Sequence, residues 1–424
     1  MLRIAPRPRR AAQVAVAALA ALVALVSPAA AQRTLTVAPG SALPTVTAAL
    51  AQARDGDRIV VTAGTYREPM LVVDHRVELV GEGSPVLDGE SKRQIMAIAA
   101  NGVTVRGFTF RNVGVAMTQD LAALKVAGAR DCRIEDNRIE NAFFGIYLER
   151  AEDCVVRNNV LVARKRDESN SGNGIHLYSA RHVTITGNRV VGHRDGIYLE
   201  FTRHSVVTDN TSEGNLRYGL HFMYSDSCRY EQNTFRENLA GVAVMYTKEV
   251  AMIGNRFEHN WGSASYGLLL KEVYDVRLER NQFTRNTVGL VADGAERLQA
   301  VGNRFADNGW AVRLMASTQE ANFEGNDFSG NTFDVATNSR DLGGNRFHGN
   351  WWAEYQGYDL DRDGRGDVPH RPVRLFSLIV ERNEPSMILL RSFFVGLLDV
   401  AERVLPALTP EALVDDAPRM RPVS

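Results

Sequence analysis

An asparagine recurs along this chain at a nearly constant interval, and this repeat limits the folds that the chain can adopt. Ten asparagines are separated by 19 to 29 residues, most often by 22: Asn137, Asn159, Asn188, Asn210, Asn233, Asn255, Asn281, Asn303, Asn326 and Asn345. From Asn233 onward each begins an Asn-x-Phe-x-x-Asn block, and the last predicted block is Asn345-Phe347-Asn350. A repeat of this length is typical of solenoids, in which each unit buries its apolar face against the next.

The segments between the asparagines alternate apolar and polar residues, which is the pattern of short β-strands. Four of these segments begin with glycine, at 145–149, 174–178, 196–200 and 219–223. Two or three strands per turn predict an all-β fold: a right-handed, single-stranded, pectate-lyase-like parallel β-helix of about ten coils, with a C-terminal helical tail. Stacked asparagine amides at one bend of every coil would form a ladder, and asparagine tolerates the left-handed backbone of such bends.

Changes in composition along the chain predict five segments. Residues 1–31 have a basic start, an apolar stretch and a small-residue cleavage site, which are typical of a secretory signal peptide and indicate the periplasm. We expect an N-terminal cap and the first coils in 32–100, the repeats in 101–350, a closing loop rich in Trp and Asp in 351–373, and amphipathic helices and a tail in 374–424. A formal net charge of -1 gives no electrostatic footprint for nucleic acid.

Three cysteines occupy the same slot of the repeat, five residues before an asparagine: Cys132, Cys154 and Cys228. Apolar residues fill this slot in other coils, so we expect it to point inward. Two interpretations remain open at this stage. The cysteines are small buried hydrophobes, or Cys132 and Cys154, in neighbouring coils, form a disulfide in an oxidising compartment.

The second and fourth residues after each repeat glycine are expected to point outward, because side chains alternate along a strand. Soft and borderline donors cluster at three of these positions: His221, Met223 and Met245. Thioether and imidazole together favour Cu(I) over zinc or calcium. The sequence therefore predicts a transient copper site here, and the alternative is a hydrophobic interaction patch with an incidental histidine.

A carbohydrate-active enzyme is the competing functional class. Such chemistry needs two carboxylates about 5 to 10 Å apart, and Glu149 and Glu200 lie two coils apart on the predicted outer face, at about 10 Å. These two residues would serve a polysaccharide lyase, epimerase or hydrolase. Because neither belongs to a larger acidic cluster, we assign no catalytic residues and expect an accessory protein rather than an enzyme.

The closing loop has the spacing of a calcium loop. Asp359, Asp361, Asp363 and Asp367 occupy positions 1, 3, 5 and 9 of that pattern. Position 12 holds His370 instead of a glutamate. The alternative is a turn in which these carboxylates bond their own backbone amides.

The C-terminal segment contains an apolar helical face that must be buried against something. Its predicted docking residues are Leu390, Phe393, Phe394, Leu397, Leu398 and Val404. Charged residues interrupt the segment, so we do not expect it to span a bilayer. It packs on the solenoid, lies in the membrane interface, or docks into a membrane protein.

The chain resembles the NosD family, periplasmic β-helix proteins for the maturation of nitrous oxide reductase. The resemblance covers about residues 33 to 410. It is carried by the opening segment with Gly64-Thr65-Tyr66, by the repeats, by Gly349-Asn350-Trp351-Trp352 leading into 359–369, and by the tail at 391–404.

The resemblance implies a role that residue patterns alone do not indicate. Proteins of this family sit on the membrane subunit of an ABC transporter and help to assemble the copper–sulfide centre of nitrous oxide reductase. They receive copper from a membrane-anchored chaperone lipoprotein, and are not known as stand-alone enzymes. The resemblance transfers no copper ligand to a residue of this chain, so the prediction at His221, Met223 and Met245 depends on donor chemistry.

Overall fold

The computed structural model describes residues 32–116, 118–164, 167–338, 343–390, 392–404 and 413–422. These residues wind into a parallel β-helix of about 14 turns. The fold prediction is confirmed, but the predicted number of about ten coils is wrong. The first coils carry no ladder asparagine; Phe108 fills the slot next to the ladder, and its N–H donates to Asn137 Oδ1 at 3.1 Å. The predicted signal peptide lies outside the described residues.

The strands of successive coils pair in parallel and in register, forming two sheets of 24 and 13 strands. The smaller sheet contains Thr65–Tyr66, Val86–Asp88, Thr109–Arg111, Arg138–Glu140, Val160–Val162, Arg189–Val191, Thr211–Glu213, Thr234–Arg236, Arg256–Glu258, Gln282–Thr284, Arg304–Ala306, Asp327–Ser329 and Trp351–Trp352.

The larger sheet covers two faces of the solenoid, because its longest strands bend through the corner between them. Its strands are Thr34–Val37, Arg58–Val61, Leu71–Val73, Glu78–Gly81, Met96–Ile98, Thr104–Arg106, Ala122–Ala127, Arg133–Glu135, Phe144–Glu149, Val155–Arg157, Ile175–Tyr178, Thr184–Thr186, Ile197–Glu200, Val206–Thr208, Tyr218–Met223, Arg229–Glu231, Ala240–Ile253, Leu268–Glu279, Val288–Glu296, Gln299–Val301, Trp310–Leu314, Asn322–Glu324, Phe333–Thr337 and Arg346–His348.

The predicted asparagine ladder runs through the interior of one bend. Asn255 shows the repeating pattern: its Oδ1 accepts from the backbone N and the Nδ2 of Asn233, both at 3.0 Å. Its Nδ2 donates to the carbonyl oxygen of Tyr230 at 2.8 Å and to Asn281 Oδ1 at 3.1 Å. The amide therefore satisfies buried polar groups in three coils. A second ladder occupies another bend, with Asn215, Asn238, Asn260, Asn286, Asn308 and Asn331.

The last member of the first ladder is Asn350, so the prediction of Asn345 at this place is wrong. Asn350 Oδ1 accepts from the backbone N of Asn326 at 2.9 Å, 24 residues away. Asn345 lies at a different corner, and the following Phe347 stacks on Phe323 with ring centroids 4.6 Å apart. The Asn345 block matches the repeat by composition, but an interval of 24 residues is needed to complete this coil.

Aromatic rings stack inside the solenoid beside the ladders, as predicted for the phenylalanine of each block. Their centroids are 4.2 to 5.7 Å apart along the series Phe235, Phe257, Phe283, Phe305, Phe328 and Trp352. The cysteine slot also points inward, and Cys132, Cys154 and Cys228 are buried free thiols. Burial raises the pKa of Cys228 to about 12, so this side chain stays a neutral thiol.

A short helix, Val46–Leu50, covers the first coil within the predicted helical segment 45–54. The Thr45 side chain caps it by accepting from Ala48 N, and the Glu68 carboxylate accepts from Val46 N and Thr47 N. Both acceptors satisfy amides that a helix N-terminus leaves without partners. The buried Val46, Ala49 and Leu50 side chains close the apolar end of the solenoid.

Helical elements follow the last coil and then give way to one more extended segment. The helices are Leu375–Arg382, the 3₁₀ helix Glu384–Leu389 and Phe393–Val404. The chain then returns to the solenoid, where Asp415 forms a parallel bridge with Phe347 and Arg419 one with Trp351. Both sides of the helical segment are therefore attached to the same end of the β-helix.

Candidate functional site

Glycine begins each strand that carries the candidate site because neighbouring coils approach closely there. A Cβ atom on Gly196 would lie 2.7 Å from the carbonyl oxygen of Gly219, and one on Gly219 would lie 2.8 Å from that of Gly241. Such distances are shorter than van der Waals contact, so a side chain at either position would displace the next coil. The glycine column keeps the strands in register, and Met223 pairs with Met245.

A column of aromatic and imidazole rings lies along the outer side of these strands. Tyr147, His176, Tyr198 and His221 stack in that order, with centroid separations of 4.7, 4.7 and 4.6 Å. Tyr218 adds a tilted contact to His221 at 4.7 Å. Neighbouring rings and chain segments cover this column, so His176 and His221 are each only 7% exposed.

The His221 ring is held from one side by a fully buried carboxylate. His221 Nδ1 lies 3.3 Å from Asp195 Oδ2. The same carboxylate forms an ion pair with Arg217, whose Nε is 3.2 Å from Oδ1 and whose Nη2 is 3.3 Å from Oδ2. Asp195 has no exposed surface, and Arg217 also reaches the exposed Glu168 at 3.1 Å. A buried carboxylate thus joins a guanidinium to the imidazole.

The two methionines of the candidate site lie in adjacent coils, directly across from each other in the register. Met223 and Met245 are half-buried on the outer face, whereas the alternating Phe222 and Val244 are fully buried in the core. The Tyr198 hydroxyl donates to Met223 Sδ at 3.6 Å. Paired residues of adjacent strands are about 4.8 Å apart, so the two thioethers and the imidazole belong to one patch.

Sequence reasoning missed Asp195 and Arg217. Each lies just before a repeat glycine, where several other coils have apolar or aromatic residues. Two opposite charges at that point of neighbouring coils were a signal, but an apolar repeat interrupted by charge has many explanations. Only the register, which brings Asp195 under His221, gives these residues a common partner.

Burial keeps the neighbouring His176 neutral. Desolvation, with a smaller contribution from the Arg194 charge, lowers the pKa of His176 to about 3. Both of its ring nitrogens are buried without a hydrogen-bond partner among the described residues. Burial likewise lowers the pKa of His193 to about 4. The charge of this region therefore changes little across ordinary periplasmic pH.

The two glutamates of the competing enzyme hypothesis lie two coils apart, since Glu149 pairs with Tyr178 and Tyr178 pairs with Glu200. Glu149 forms ion pairs with Lys125 at 3.0 Å and Arg150 at 3.2 Å. Tyr178 thus stands between the two carboxylates, and one of them is already compensated by two cations. This arrangement gives no support to a general acid and base acting on one bond.

The aspartates of the closing loop accept hydrogen bonds from nearby backbone amides. Asp359 accepts from Asp363 N and Gly364 N, and Asp361 also accepts from Asp363 N. Asp367 accepts from Leu360 N instead. Ligand atoms of Asp359, Asp361 and Asp363 lie within 4.8 Å of one another. This geometry agrees with the self-bonded turn, and the calcium site stays a prediction.

The predicted docking residues divide into two groups. Leu390 and Leu398 pack against the buried cluster that includes Phe376. Phe393 is 83% exposed, and Phe394 and Leu397 are about half exposed, at 49% and 50%. The Val404 side chain lies outside the described part of the chain. None of the described helices is long and apolar enough to cross a membrane.

Solved structures with a similar backbone are carbohydrate-active β-helices. One is the A-module of the mannuronan C-5 epimerase AlgE6 of Azotobacter vinelandii, with a TM-score of 0.51 and 14% identity over 72% of this chain and 87% of that one. Another is the catalytic domain of a GH87 α-1,3-glucanase, with a TM-score of 0.53 and 12% identity over 74% of this chain and 69% of that one. At such identities the likeness establishes the fold alone.

Sequence comparisons are more specific. A family model described as a right handed beta helix region matches residues 89–204, and one described as periplasmic copper-binding protein (NosD) matches residues 162–357. A protein of Pseudomonas aeruginosa named "Probable ABC transporter binding protein NosD" is 29% identical over 87% of this chain and 89% of its own length. One of the same name from Stutzerimonas stutzeri is 24% identical over 87% and 88%. Neither name is that of an enzyme, and the chain belongs to the NosD family of periplasmic proteins.

Proposed function

We propose that this chain is a periplasmic maturation factor that binds copper transiently while associated with the membrane subunit of an ABC transporter. Its product is the assembled copper–sulfide centre of nitrous oxide reductase, and a chaperone lipoprotein supplies the copper. Two findings support the proposal: the family description names copper binding, and both curated relatives are named as ABC transporter binding proteins. Copper is cargo in this scheme and not a resident cofactor.

The observation that carries the copper assignment is the register of the outer face. Met223 pairs with Met245, and His221 projects from the same side of the strand two residues before Met223. Two thioethers and one neutral imidazole form a three-donor set that suits Cu(I). Because the methionines are half-buried on a rigid sheet, a partner protein reaches the site without any rearrangement of the coils.

Cu(I) titration against a chromophoric competing chelator tests this assignment. We expect one tightly bound Cu(I) per chain in the wild type, and a loss of at least 100-fold in affinity when both Met223 and Met245 are changed to Leu, because each change removes one of three donors. Met315→Leu is a matched control, since Met315 is also half-buried at the fourth position of its coil. An unchanged affinity in the double variant, with its circular dichroism intact, would refute the assignment.

We assign transporter docking to the exposed side of the helix Phe393–Val404. Its partly buried residues Val395 and Leu398 pack on the helix Leu375–Arg382, and Phe393, Phe394 and Leu397 remain at the surface. Large exposed apolar side chains on one helix are typical of interaction surfaces. The helix is too short to span a bilayer by itself, which favours docking at the periplasmic surface of a membrane protein.

A further inference from the structure

The carboxylate of Asp195 can act on copper only through His221. Asp195 has no exposed surface, and its Oδ2 lies 3.3 Å from His221 Nδ1. His221 offers copper one of its two ring nitrogens, and which one is free depends on where the imidazole proton resides. The partner of Nδ1 therefore decides whether Nε2 has a lone pair to donate.

We infer that Asp195 is a positioning residue for copper binding: it holds the proton of His221 on Nδ1 and thereby presents the Nε2 lone pair at the outer face. The inference rests on the proposed copper site. Metal-binding histidines usually donate their second ring N–H to a carboxylate or carbonyl group, which fixes both tautomer and ring orientation. Asp195 supplies such a carboxylate from the preceding coil.

The contacts around Nδ1 favour this tautomer over the alternative. Arg217 Nη2 lies 3.4 Å from Nδ1, and a guanidinium nitrogen only donates. A lone pair on Nδ1 would therefore accept from Arg217, but it would also face the lone pairs of Asp195 Oδ2 at 3.3 Å. A proton on Nδ1 removes that repulsion, and Arg217 keeps both of its contacts with the carboxylate.

Charge balance allows the imidazole to stay neutral, as a copper ligand must be. A buried carboxylate needs a compensating cation. Arg217 already supplies one positive charge to Asp195 at 3.2 and 3.3 Å. His221 therefore does not have to be protonated to pair with Asp195, and the hydrogen bond from Nδ1 is sufficient.

Ring packing fixes the direction in which Nε2 points. The His221 ring lies between Tyr198, with centroids 4.6 Å apart, and Tyr218, at 4.7 Å. Turning the ring over would exchange the two nitrogens only by breaking the contact with Asp195 inside this stack. The hydrogen bond and the two tyrosines together hold one orientation.

Long-range ¹H–¹⁵N correlation spectra of the full chain labelled with ¹⁵N-histidine measure the tautomer directly, and loss of a signal in His221→Gln assigns it. For the metal-free wild type we expect His221 to be protonated at Nδ1. In Asp195→Asn we expect a shift towards the Nε2-protonated form and a Cu(I) affinity lower by about 10- to 100-fold. Glu168→Gln is the matched control, because it removes the other carboxylate of Arg217 and leaves the Asp195–His221 contact intact.

The outcomes separate this inference from the proposed function. A wild-type His221 protonated at Nε2 would overturn the inference, even if Asp195→Asn failed to fold, because it needs no variant. Unchanged tautomer and affinity in Asp195→Asn would also overturn it and leave the copper site standing. Failure of the wild type to bind Cu(I) would reject the copper site, whereas an Nδ1–H signal that responds to Asp195→Asn would still support the orienting role.

Discussion

Changing Asn255 to Ala should destabilise the solenoid strongly, although it removes only a small polar side chain. The Asn255 amide makes four hydrogen bonds to three neighbours. Its loss leaves the buried backbone N–H of Asn233 and the carbonyl oxygen of Tyr230 without these partners. A buried polar group left unsatisfied costs about 1 to 3 kcal/mol, so the two groups together should cost about 4 kcal/mol. Asn281 Oδ1 keeps the bond from the Asn255 backbone N, which limits the damage on that side.

Denaturant unfolding combined with native-state hydrogen exchange measures both the size and the location of this effect. Solenoid stability is close to a sum over neighbouring coils, so faster exchange should appear in the coils of Asn233 and Asn281 and fade towards Asn137. Asn322→Ala is a suitable control, because Asn322 bonds only to the Gln299 side chain at 3.3 Å on the outer surface. A loss below about 1 kcal/mol at Asn255, or equal losses at both sites, would contradict the role given to the ladder.

Two further predictions concern pH and docking. The folded state holds the pKa of His176 at about 3, below its ordinary 6.5, so the unfolded chain takes up the proton first and stability falls as the pH falls below 6.5; between pH 7 and 5 this histidine should cost about 2 kcal/mol, and urea unfolding of His176→Gln should show a shallower pH dependence, an equal slope refuting it. Replacing Phe393 and Leu397 together by Asp should abolish co-purification with the transporter permease, whereas Leu360→Asp, at an equally exposed leucine (77%) of the closing loop, should not; retained binding in the double variant would exclude this face.

The sequence was sufficient for the fold because each ladder position must satisfy the same geometric demand. An amide that bonds the coils before and after it recurs once per coil, and the alternation around it fixes which residues face inward. The error at Asn345 shows the limit of such reasoning. Composition around Asn345 and Asn350 is similar, and only the length of the last coil decides which one meets Asn326.

The site was harder to predict, because its charged partners are set by register rather than by spacing. His221, Met223 and Met245 follow from the period of two along the strands, and the pairing of the two methionines follows from coil stacking. Asp195 is 26 residues before His221, and coil lengths in this chain vary. The pattern alone therefore gave no reason to place this carboxylate under the imidazole.

The return of the chain after its last helix determines how the docking segment can be studied. The Asp415 carboxylate accepts from Gly349 N at 2.9 Å, from Asn350 N at 2.9 Å and Nδ2 at 3.0 Å, and from Trp352 Nε1 at 3.0 Å. Asp415 is fully buried and takes the position that the next ladder asparagine would have. Truncation before it would leave four donors without partners and open the last coil. A truncated chain that failed to bind the transporter would therefore report a damaged solenoid, which is why point changes on the exposed helix face, with Asp415 in place, are the informative perturbation.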